Sequence, residues 1–486
     1  MRRKIYASCI FLSVCILLQI DCIAQRTPQQ KSKTPNIVIY LADDLGYSDS
    51  GPYGNKVVKT PHLDSLASGA LKFTNAFANT PTCTPSRSTI MTGLMPSRNG
   101  SHANNVNGYP VSEVRPGVQT LPALLRQAGY RVALAGKRHI GPLNVFPFEW
   151  IPLSEVREPG HENTPGLFTD LSTEAVDKWL AQQEGGQPFC LVVSDHSPHV
   201  IWPQQAVYPL KDIDVPPDAI ATDEYRQMRA RYYTDVTKMD NNLGRVLESL
   251  EKHGFEGETV IIFTSDQGAQ FPFAKWNLYD AGVHVPLLIK WPGRISAGTT
   301  EALVSHIDLL PTVLALAGAK IPAGLDGKEY MKVLLGKKQA HRQEVFLTHS
   351  QDGLMNITPM RGVRTQRYKF IENLSPQYTY RTHIDGARDH DGGASYWISW
   401  EQLAEKNDTA AAALIERYRH RPQAELYDIV NDPYELNNLA GKKEYNDVMQ
   451  QLKKKLSGFR AQQKDTITGP ILDIKSNWKG EGATKK

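Results

Sequence analysis

The chain of 486 residues has only five cysteines, and three of them lie within its first 22 residues. Removal of an N-terminal targeting segment would leave Cys83 and Cys190 alone. Two cysteines cannot build the disulfide framework of a small secreted domain. A single Cys83–Cys190 bridge is the structural alternative, and it would disable any chemistry at Cys83.

A large excess of charge of one sign is also missing. The formal net charge is +4, and no run of clustered basic residues occurs. Proteins that bind nucleic acids carry basic patches or stripes. We therefore expect no nucleic-acid partner.

The sequence offers no apolar run long enough for a comfortable membrane span. Basic residues at positions 2–4 precede an apolar segment at 10–20, which is shorter than a bilayer requires. This pattern is typical of a secretory signal peptide over residues 1–24. We expect an exported protein, periplasmic or secreted, without stable membrane insertion. A lipid anchor on Cys22 is an alternative that the preceding Asp21 fits poorly.

Beyond a polar leader at 25–34, apolar runs alternate with amphipathic segments. The predicted strands are 36–42, 130–135, 189–194, 259–264 and 285–291, and the predicted helices are 61–71, 119–129, 172–184, 224–253 and 308–316. Such alternation predicts an α/β domain with a mainly parallel sheet sandwiched by helices, over residues 35–340. Alternating residues at 360–372, a strand at 424–430 and a helix at 443–459 then predict a smaller α+β subdomain over 341–486.

Four of the predicted strands end in polar clusters. The residues concerned are Asp43 and Asp44, Lys137 and His139, His199, and Asp266 and Gln267. A single polar residue after a strand is common turn chemistry. In open parallel sheets, however, ligands bind beyond the carboxyl ends of the strands. Four such ends therefore predict one shared site.

The acidic members of this set predict a metal site. Asp43, Asp44, Asp266 and Gln267 offer only oxygen ligands, which Ca²⁺ and Mg²⁺ prefer. Two adjacent aspartates would repel each other unless a cation held them. Helix caps and turn residues are the alternative interpretation.

The basic members predict an oxyanion site beside the metal. Lys137, His139, His199 and Lys275 would form a cationic ring that stabilises a multiply charged oxyanion and the charge that develops as it transfers. Taken singly, His199 could be a core histidine and Lys275 a solvated surface charge.

Residues 83–87, Cys-Thr-Pro-Ser-Arg, form a predicted helix start. Pro85 suits the first turn of a helix. The unpaired N–H groups and partial positive charge of a helix start attract anions, and Arg87 adds a planar charged fork. Cys83 then sits where a nucleophile would attack a bound oxyanion. A buried, inert cysteine is the alternative.

This stretch, with Thr92-Gly93 downstream, resembles the modification motif of the type I sulfatases, which belong to the alkaline phosphatase superfamily. The resemblance extends over nearly all of the chain after the leader. It includes the early Asp-Asp pair, the Gly-Lys-x-His-x-Gly box from residue 136, the Pro-His element at 198–199 and the Ser-Asp-x-Gly box from residue 265.

The resemblance implies an alkaline phosphatase-like fold and a reaction. Cys83 would be oxidised by a formylglycine-generating or sulfatase-maturing enzyme, and its formylglycine (3-oxoalanine) hydrate would attack sulfur and later expel sulfate. Calcium, with magnesium as the less favoured ion, would be bound by the oxygen of residue 83 and by Asp43, Asp44, Asp266 and Gln267. Gln267 replaces the commoner Asn.

The resemblance also implies catalytic roles for the basic residues. Arg87 and Lys137 would hold the hydrate and sulfate, and His139 would assist proton transfer. His199 and Lys275 would bind sulfate and protonate the leaving group.

Within the family, the runs at 136–148, 271–279 and 359–361 are most similar to the heparan N-sulfatase (sulfamidase) group. The group also includes bacterial O-sulfatases of other polysaccharides such as ulvan. The implied partner is therefore a sulfated oligosaccharide or polysaccharide. His349, Arg364 and Arg388 are candidates for recognising a uronate or second sulfate, with surface charges as the alternative.

Two other functions remain open. A phosphodiesterase or phosphonate hydrolase of the same superfamily could use a metal and a cationic ring in the same way. A glycan-binding protein with an inactive site would require damage among the matched positions, where Gln267 is the one departure.

Overall fold

A large, mainly parallel sheet lies at the centre of the fold. The structure, a computed structural model, describes residues 34–104, 112–157, 169–183, 186–352, 356–386 and 394–470. Its strands are β1 Asn36–Ala42, β2 Leu71–Phe73, β3 Ala76–Phe77, β4 Arg131–Gly136, β5 Glu149–Trp150, β6 Glu155–Arg157, β7 Thr169–Leu171, β8 Phe189–Ser194, β9 Thr259–Ser265, β10 Leu287–Lys290, β11 Gly298–Thr300, β12 Val304–Ser305, β13 Val345–His349, β14 Met360–Arg364, β15 Tyr368–Asn373 and β16 Ala424–Asp428.

Helices cover the sheet and connect its strands. They are α1 Pro61–Ser68, α2 Cys83–Thr92, α3 Pro96–Asn99, α4 Leu121–Gln127, α5 Thr173–Leu180, α6 Asp223–Lys252, α7 Asp280–Val283, α8 Leu309–Leu316, α9 Met331–Leu334, α10 His383–Gly386, α11 Ala394–Glu405, α12 Thr409–Arg419 and α13 Asn446–Gln463. Short 3₁₀ helices lie at Gly51–Tyr53, Leu143–Val145, Leu210–Asp212, Glu256–Glu258, His306–Asp308 and Lys443–Tyr445.

The central sheet has the strand order β11-β2-β10-β9-β1-β8-β4-β5. Strands β9, β1, β8, β4 and β5 run parallel to their neighbours in this order, while β10 is antiparallel to both β9 and β2. The parallel strands are continuous apolar runs because helices cover both faces of the sheet. The predicted mainly parallel sheet is confirmed.

Strand β1 shows the two-sided burial directly. Ile37, Ile39 and Leu41 contribute to one hydrophobic cluster, which includes side chains of α2, α4 and α8. The alternate residues Val38 and Tyr40 contribute to a second cluster, which includes side chains of α1, α5 and α6. Since successive strand side chains point to opposite faces, the helices sandwich the sheet as predicted.

A smaller antiparallel sheet follows residue 340. Its order is β13-β14-β15-β16, and α13 packs on it through Leu452 and Leu456 against Val363 and Phe370. Every pairing within this sheet is antiparallel. Both sheets belong to the unit Pro35–Lys486.

Several predicted elements have different ends in the structure. The predicted helix 61–71 stops at Ser68, since Gly69 caps it and residues 71–73 pair with β10 and β11 as a strand. The predicted strand 285–291 is shorter, Leu287–Lys290.

The proposed signal peptide, the leader up to residue 33 and Arg388 lie outside the described residues. Within the described residues, no helix combines the length and apolarity needed to cross a bilayer.

Candidate active site

The four polar strand ends meet at one edge of the central sheet. Strands β9, β1, β8 and β4 are consecutive neighbours and run parallel, so their carboxyl ends lie side by side. The register pairs Ala42 with Ser265 and Gly136 with Ser194. The side chains that follow these strands therefore share one site, as the sequence predicted.

Helix α2 points its first turn into this site. Thr82 is extended before the helix, and Gly93 ends it with a φ of 62°, in the left-handed region that favours glycine. All ten helical residues are buried. Cys83, the first of them, lies with its Sγ 3.0 Å from Nε2 of Gln267 at the end of β9.

Arg87 connects α2 to three of the strand ends. Its Nε donates to Oδ2 of Asp266 at 2.9 Å, its Nη2 lies 3.2 Å from Oδ1 of Asp43, and its Nη1 donates to Oγ of Ser194. The guanidinium is 2% exposed. A planar fork between two carboxylates fixes their spacing, which a lysine could not reproduce.

Each aspartate of the pair contacts one lysine. Nζ of Lys137 donates to Oδ2 of Asp43, and Nζ of Lys275 donates to Oδ2 of Asp44 at 2.6 Å. Burial alone would raise the pKa of Asp43, but Lys137 and Arg87 outweigh it and hold that pKa well below its usual range. Burial likewise opposes the charge of Lys275, yet Asp44 raises the pKa of this ammonium above its ordinary value. Lys275 is a buried cation and not the solvated surface charge of the alternative interpretation.

Lys137 lies near both histidines of the site. Nε2 of His199 is 3.7 Å from Oδ2 of Asp44, and its Nδ1 is 2.6 Å from the carbonyl oxygen of Val200. Burial, together with Lys137 and Lys275, lowers the pKa of His199 to about 4. Burial and Lys137 lower the pKa of His139 well below its ordinary value. Both rings are therefore neutral near pH 7.

The acidic set fits a divalent cation. Asp43, Cys83 and Asp266 each offer one ligand atom, and these atoms lie within 4.8 Å of one another; Asp44, Cys83 and His199 form a second group of this kind. Burial and the neighbouring Asp43 raise the pKa of Asp266 to about 7 against the opposing effect of Arg87. Packed carboxylates of this kind become more stable when a cation binds them.

Two oxygens of the set have no hydrogen-bond donor within the described residues. They are Oε1 of Gln267 and Oδ1 of Asp43; both are buried, and Oδ1 of Asp43 has an ion-pair contact with Nη2 of Arg87 at 3.2 Å in place of a hydrogen bond. A buried acceptor without a donor is costly and calls for an ion or a ligand. The donor chemistry and the unpaired Oε1 of Gln267 among the described residues together fit a hard cation held by oxygen ligands.

Cys83 and Cys190 are both free and buried, so the alternative bridge between them is not formed. Cys190 lies on β8 within the hydrophobic cluster of α2, α4 and α8. Burial raises the pKa of the Cys83 thiol to about 12. Because the thiolate is the reactive form of cysteine, the unmodified side chain is a poor nucleophile near neutral pH.

Sequence reasoning missed two side chains that support the site. Ser194 accepts the hydrogen bond from Arg87, and Gln270 places its Oε1 3.2 Å from Nζ of Lys275. Ser194 is the last residue of β8, so the same strand-end signal that selected Asp266 could have found it. Gln270 has no comparable signal.

Two of the residues predicted to recognise a uronate or second sulfate, Arg364 and His349, are buried in the structure. Arg364 is wrong for that role, because its buried guanidinium pairs with Asp280 on α7, with Nη2 to Oδ2 at 3.0 Å. His349 is also buried, with Nδ1 3.2 Å from Oγ1 of Thr82, so neither is a surface charge.

Comparison with known proteins adds two family matches. A sulfatase family model matches residues 35–319. A model described as N-sulphoglucosamine sulphohydrolase, C-terminal, matches residues 268–389 and 407–462.

Similar curated proteins include an ulvan-active sulfatase of Formosa agariphila. It is 30% identical over 451 residues, which cover 91% of this chain and 83% of that protein. Human N-sulphoglucosamine sulphohydrolase is 30% identical over 495 residues, covering 93% and 94% of the two chains.

Solved structures with the same fold include one in complex with its substrate D-glucosamine-2-N,6-O-disulfate. It has a TM-score of 0.66 and 22% identity, and the match covers 90% of this chain and 99% of that one. A 2-O GAG sulfatase structure matches with a TM-score of 0.66 and 21% identity, covering 92% and 95%.

Proposed function

The chain belongs to the sulfatase family, and from this premise we propose that it removes sulfate groups from a sulfated carbohydrate. The observation that carries the proposal is the convergence of Cys83, Arg87 and the four polar strand ends on one buried site. Anion-binding cations beside an acidic metal-type set are what sulfuryl transfer needs.

We propose that residue 83 works as formylglycine, installed by a sulfatase-maturing or formylglycine-generating enzyme. The hydrated aldehyde would supply the attacking hydroxyl that the thiol does not. Burial raises the pKa of the Cys83 thiol, which supports this replacement because the thiolate is the reactive form of cysteine. The start of α2 and Arg87 would orient residue 83 against the bound sulfate.

We propose Ca²⁺ as the metal, bound by Asp43, Asp44, Asp266, Gln267 and the oxygen of residue 83. Calcium would neutralise the acidic set and polarise a sulfate oxygen. Oxygen ligands select a hard cation over zinc, and a set of several protein carboxylates and one amide suits calcium better than magnesium, which usually keeps several waters.

The remaining residues would divide binding and proton transfer. Lys137 and Arg87 would hold the sulfate and residue 83. Lys275, a buried ammonium whose pKa the neighbouring Asp44 raises, would stabilise charge at the leaving group. His199 holds its Nδ1 against a carbonyl, which leaves Nε2 to exchange a proton there. His139 would accept and return protons on the side of residue 83.

The proposed substrate is an N-sulfated glucosamine of a glycosaminoglycan. Support comes from the match of the C-terminal region to the N-sulphoglucosamine sulphohydrolase model and from the human relative of that name. The ulvan-active relative supports an alternative, an O-sulfate of another polysaccharide. We further propose export by a signal peptide, a catalytic domain over residues 35–340 and a subdomain over 341–486.

A sulfate-release assay with matched cysteine variants tests the function. The substrates are N-sulfated glucosamine, O-sulfated glycosaminoglycan disaccharides, ulvan oligosaccharides and an aryl sulfate, each compared with a phosphate ester. We expect sulfate release by the wild type, loss in Cys83→Ala and retention in Cys190→Ala, the buried control. Turnover of phosphate esters alone, or full activity in Cys83→Ala, would overturn the proposal.

A further inference from the structure

Lys275 lies in a loop whose backbone is held in an unfavourable conformation. Phe273 and Trp276 have φ values of 62° and 65°, in the left-handed region that bulky residues rarely adopt. Such conformations persist only where surrounding contacts enforce them, and they concentrate at functional sites. The contacts of Trp276 therefore decide where Lys275 points.

Hydrogen bonds to other residues hold the main chain of this loop at Lys275 and Trp276. The N–H of Trp276 donates to the carbonyl of Pro81 at 2.9 Å, and its carbonyl accepts from the Tyr380 hydroxyl at 3.1 Å. The carbonyl of Lys275 accepts from Nδ2 of Asn277 at 3.1 Å. The loop thus rests both on the segment before α2 and on the C-terminal region.

The Trp276 indole also forms a hydrogen bond with Asp352, beside ring contacts with His383 and with the Lys275 ammonium. Nε1 of Trp276 donates to Oδ2 of Asp352 at 2.5 Å, and the indole itself is 2% exposed. Asp352 follows strand β13 and is 4% exposed. A buried carboxylate that accepts an indole N–H fixes the ring, and with it the strained main chain, more firmly than a neutral acceptor would.

The same carboxylate oxygen is also connected, through Asn104, to the start of α2. Oδ2 of Asp352 also accepts from Nδ2 of Asn104 at 3.0 Å, and Oδ1 of Asn104 accepts from the N–H of Thr84 at 3.0 Å. Thr84 follows Cys83 directly. Oδ2 of Asp352 thus connects Trp276, the neighbour of Lys275, through Asn104 to Thr84, the neighbour of residue 83.

We propose that Asp352 is a positioning residue, which sets the placement of Lys275 relative to residue 83 through Trp276 and Asn104. This inference rests on the proposed function, because it assigns a purpose to the roles of Lys275 and residue 83. It also makes the C-terminal region part of the catalytic machinery.

A double-mutant cycle on aryl sulfate hydrolysis tests the proposal. Misplacement of a catalytic group by about 1 Å can cost roughly 100-fold, so Asp352→Ala and Trp276→Phe should each lower kcat by roughly 10- to 100-fold with little change in KM. Asp352→Asn keeps an oxygen acceptor and should recover most of kcat. In a Lys275→Ala background, Trp276→Phe should cause little further loss.

Asp240→Ala is the matched control. Asp240 is another buried carboxylate that accepts two hydrogen bonds, from the backbone N–H groups of His62 and Leu63. Asp240→Ala should lower the melting temperature, and any effect that it has on kcat should add to the effect of Lys275→Ala. Because Trp276→Phe and Asp352→Asn make milder changes, they decide the question if Asp352→Ala does not fold.

Two results would overturn the positioning role. One is an equal kcat loss from Trp276→Phe with and without Lys275, and the other is a raised KM with kcat intact in Asp352→Ala. A second readout needs no turnover: exchange of the Trp276 indole N–H, identified by its absence in Trp276→Phe, should accelerate in Asp352→Ala. Wild-type protein without activity on any sulfate ester would instead contradict the proposed function, while unchanged indole exchange would contradict positioning alone.

Discussion

Gln267 and Cys83 are in direct contact, with Nε2 of the amide 3.0 Å from Sγ of the thiol. The same nitrogen lies 2.5 Å from Oδ1 of Asp44, while Oε1 of Gln267 has no donor among the described residues. The amide therefore connects residue 83 to the acidic set and leaves its oxygen for a metal.

Removal of the Gln267 amide should weaken calcium binding. We expect Gln267→Ala to lower calcium affinity roughly 10- to 100-fold, the range seen when a supporting group of a metal site is lost. Gln267→Asn keeps a carbonyl oxygen and should stay closer to the wild type. Calorimetric titration of calcium into the chelator-treated protein measures both variants, and equal affinities for wild type and Gln267→Ala would remove Gln267 from the ligand set.

Loss of Arg87 should destabilise the protein in calcium-free buffer. Its guanidinium is buried between Asp43 and Asp266, and removal of one partner from a buried charge cluster costs about 3–5 kcal/mol. We expect Arg87→Ala to lose about that much unfolding free energy in urea titrations, and excess calcium to restore part of it.

Arg367→Ala is the matched control for Arg87. Arg367 pairs with Asp428 at 2.8 Å, but its side chain is 56% exposed. An exposed ion pair is screened by solvent and contributes little to stability, so Arg367→Ala should leave the unfolding free energy nearly unchanged. Equal losses in the two variants would contradict the buried charge cluster.

Because His284 is buried in its neutral form, the free energy of unfolding should fall in mild acid. The ring is stacked on Tyr47 with centroids 3.6 Å apart, and burial lowers its pKa from 6.5 to about 3, against the opposing effect of Asp280. Below pH 6.5 the unfolded chain takes up a proton that the folded chain refuses, so this contribution to stability is present above pH 6.5 and is lost as the pH falls toward 3.

The matched variant is His284→Phe, which keeps a stacked ring without a titrating group. Between about pH 7.5 and about pH 5, the wild type should lose about 2 kcal/mol more unfolding free energy than this variant. Urea titrations at both pH values measure the difference. Parallel losses in the two proteins would show that His284 titrates normally in the fold.

The site was predictable from sequence where local pattern and topology meet. Continuous apolar runs identify the buried parallel strands, and polar residues after them must share an edge. That reasoning predicts from the sequence alone that Asp43, Lys137, His199 and Asp266 share one site. Lys275 was predicted from its charge and from the family resemblance, since it follows no predicted strand. Its burial against Asp44 depends on the fold of a loop with two left-handed residues.

Other features depend on contacts between residues distant in sequence. Trp276 and Asp352 are separated by 76 positions, and nothing near either residue indicates the hydrogen bond between them. Arg364 has the charge expected of an anion-binding residue, yet tertiary packing pairs it with Asp280. The predicted end of the helix at residue 71 was wrong. After Gly69, residues 71–73 pair with β10 and β11 as a strand, and this pairing outweighs the helical periodicity of the sequence.

The state of residue 83 in the mature protein tests the central claim most directly. The measurement is mass spectrometry of the peptide that contains residue 83, from protein expressed with a sulfatase-maturing enzyme and shown to release sulfate. The account predicts formylglycine in place of the thiol, and a hydrazide adduct on that residue alone. An intact Cys83 thiol in fully active protein would contradict it.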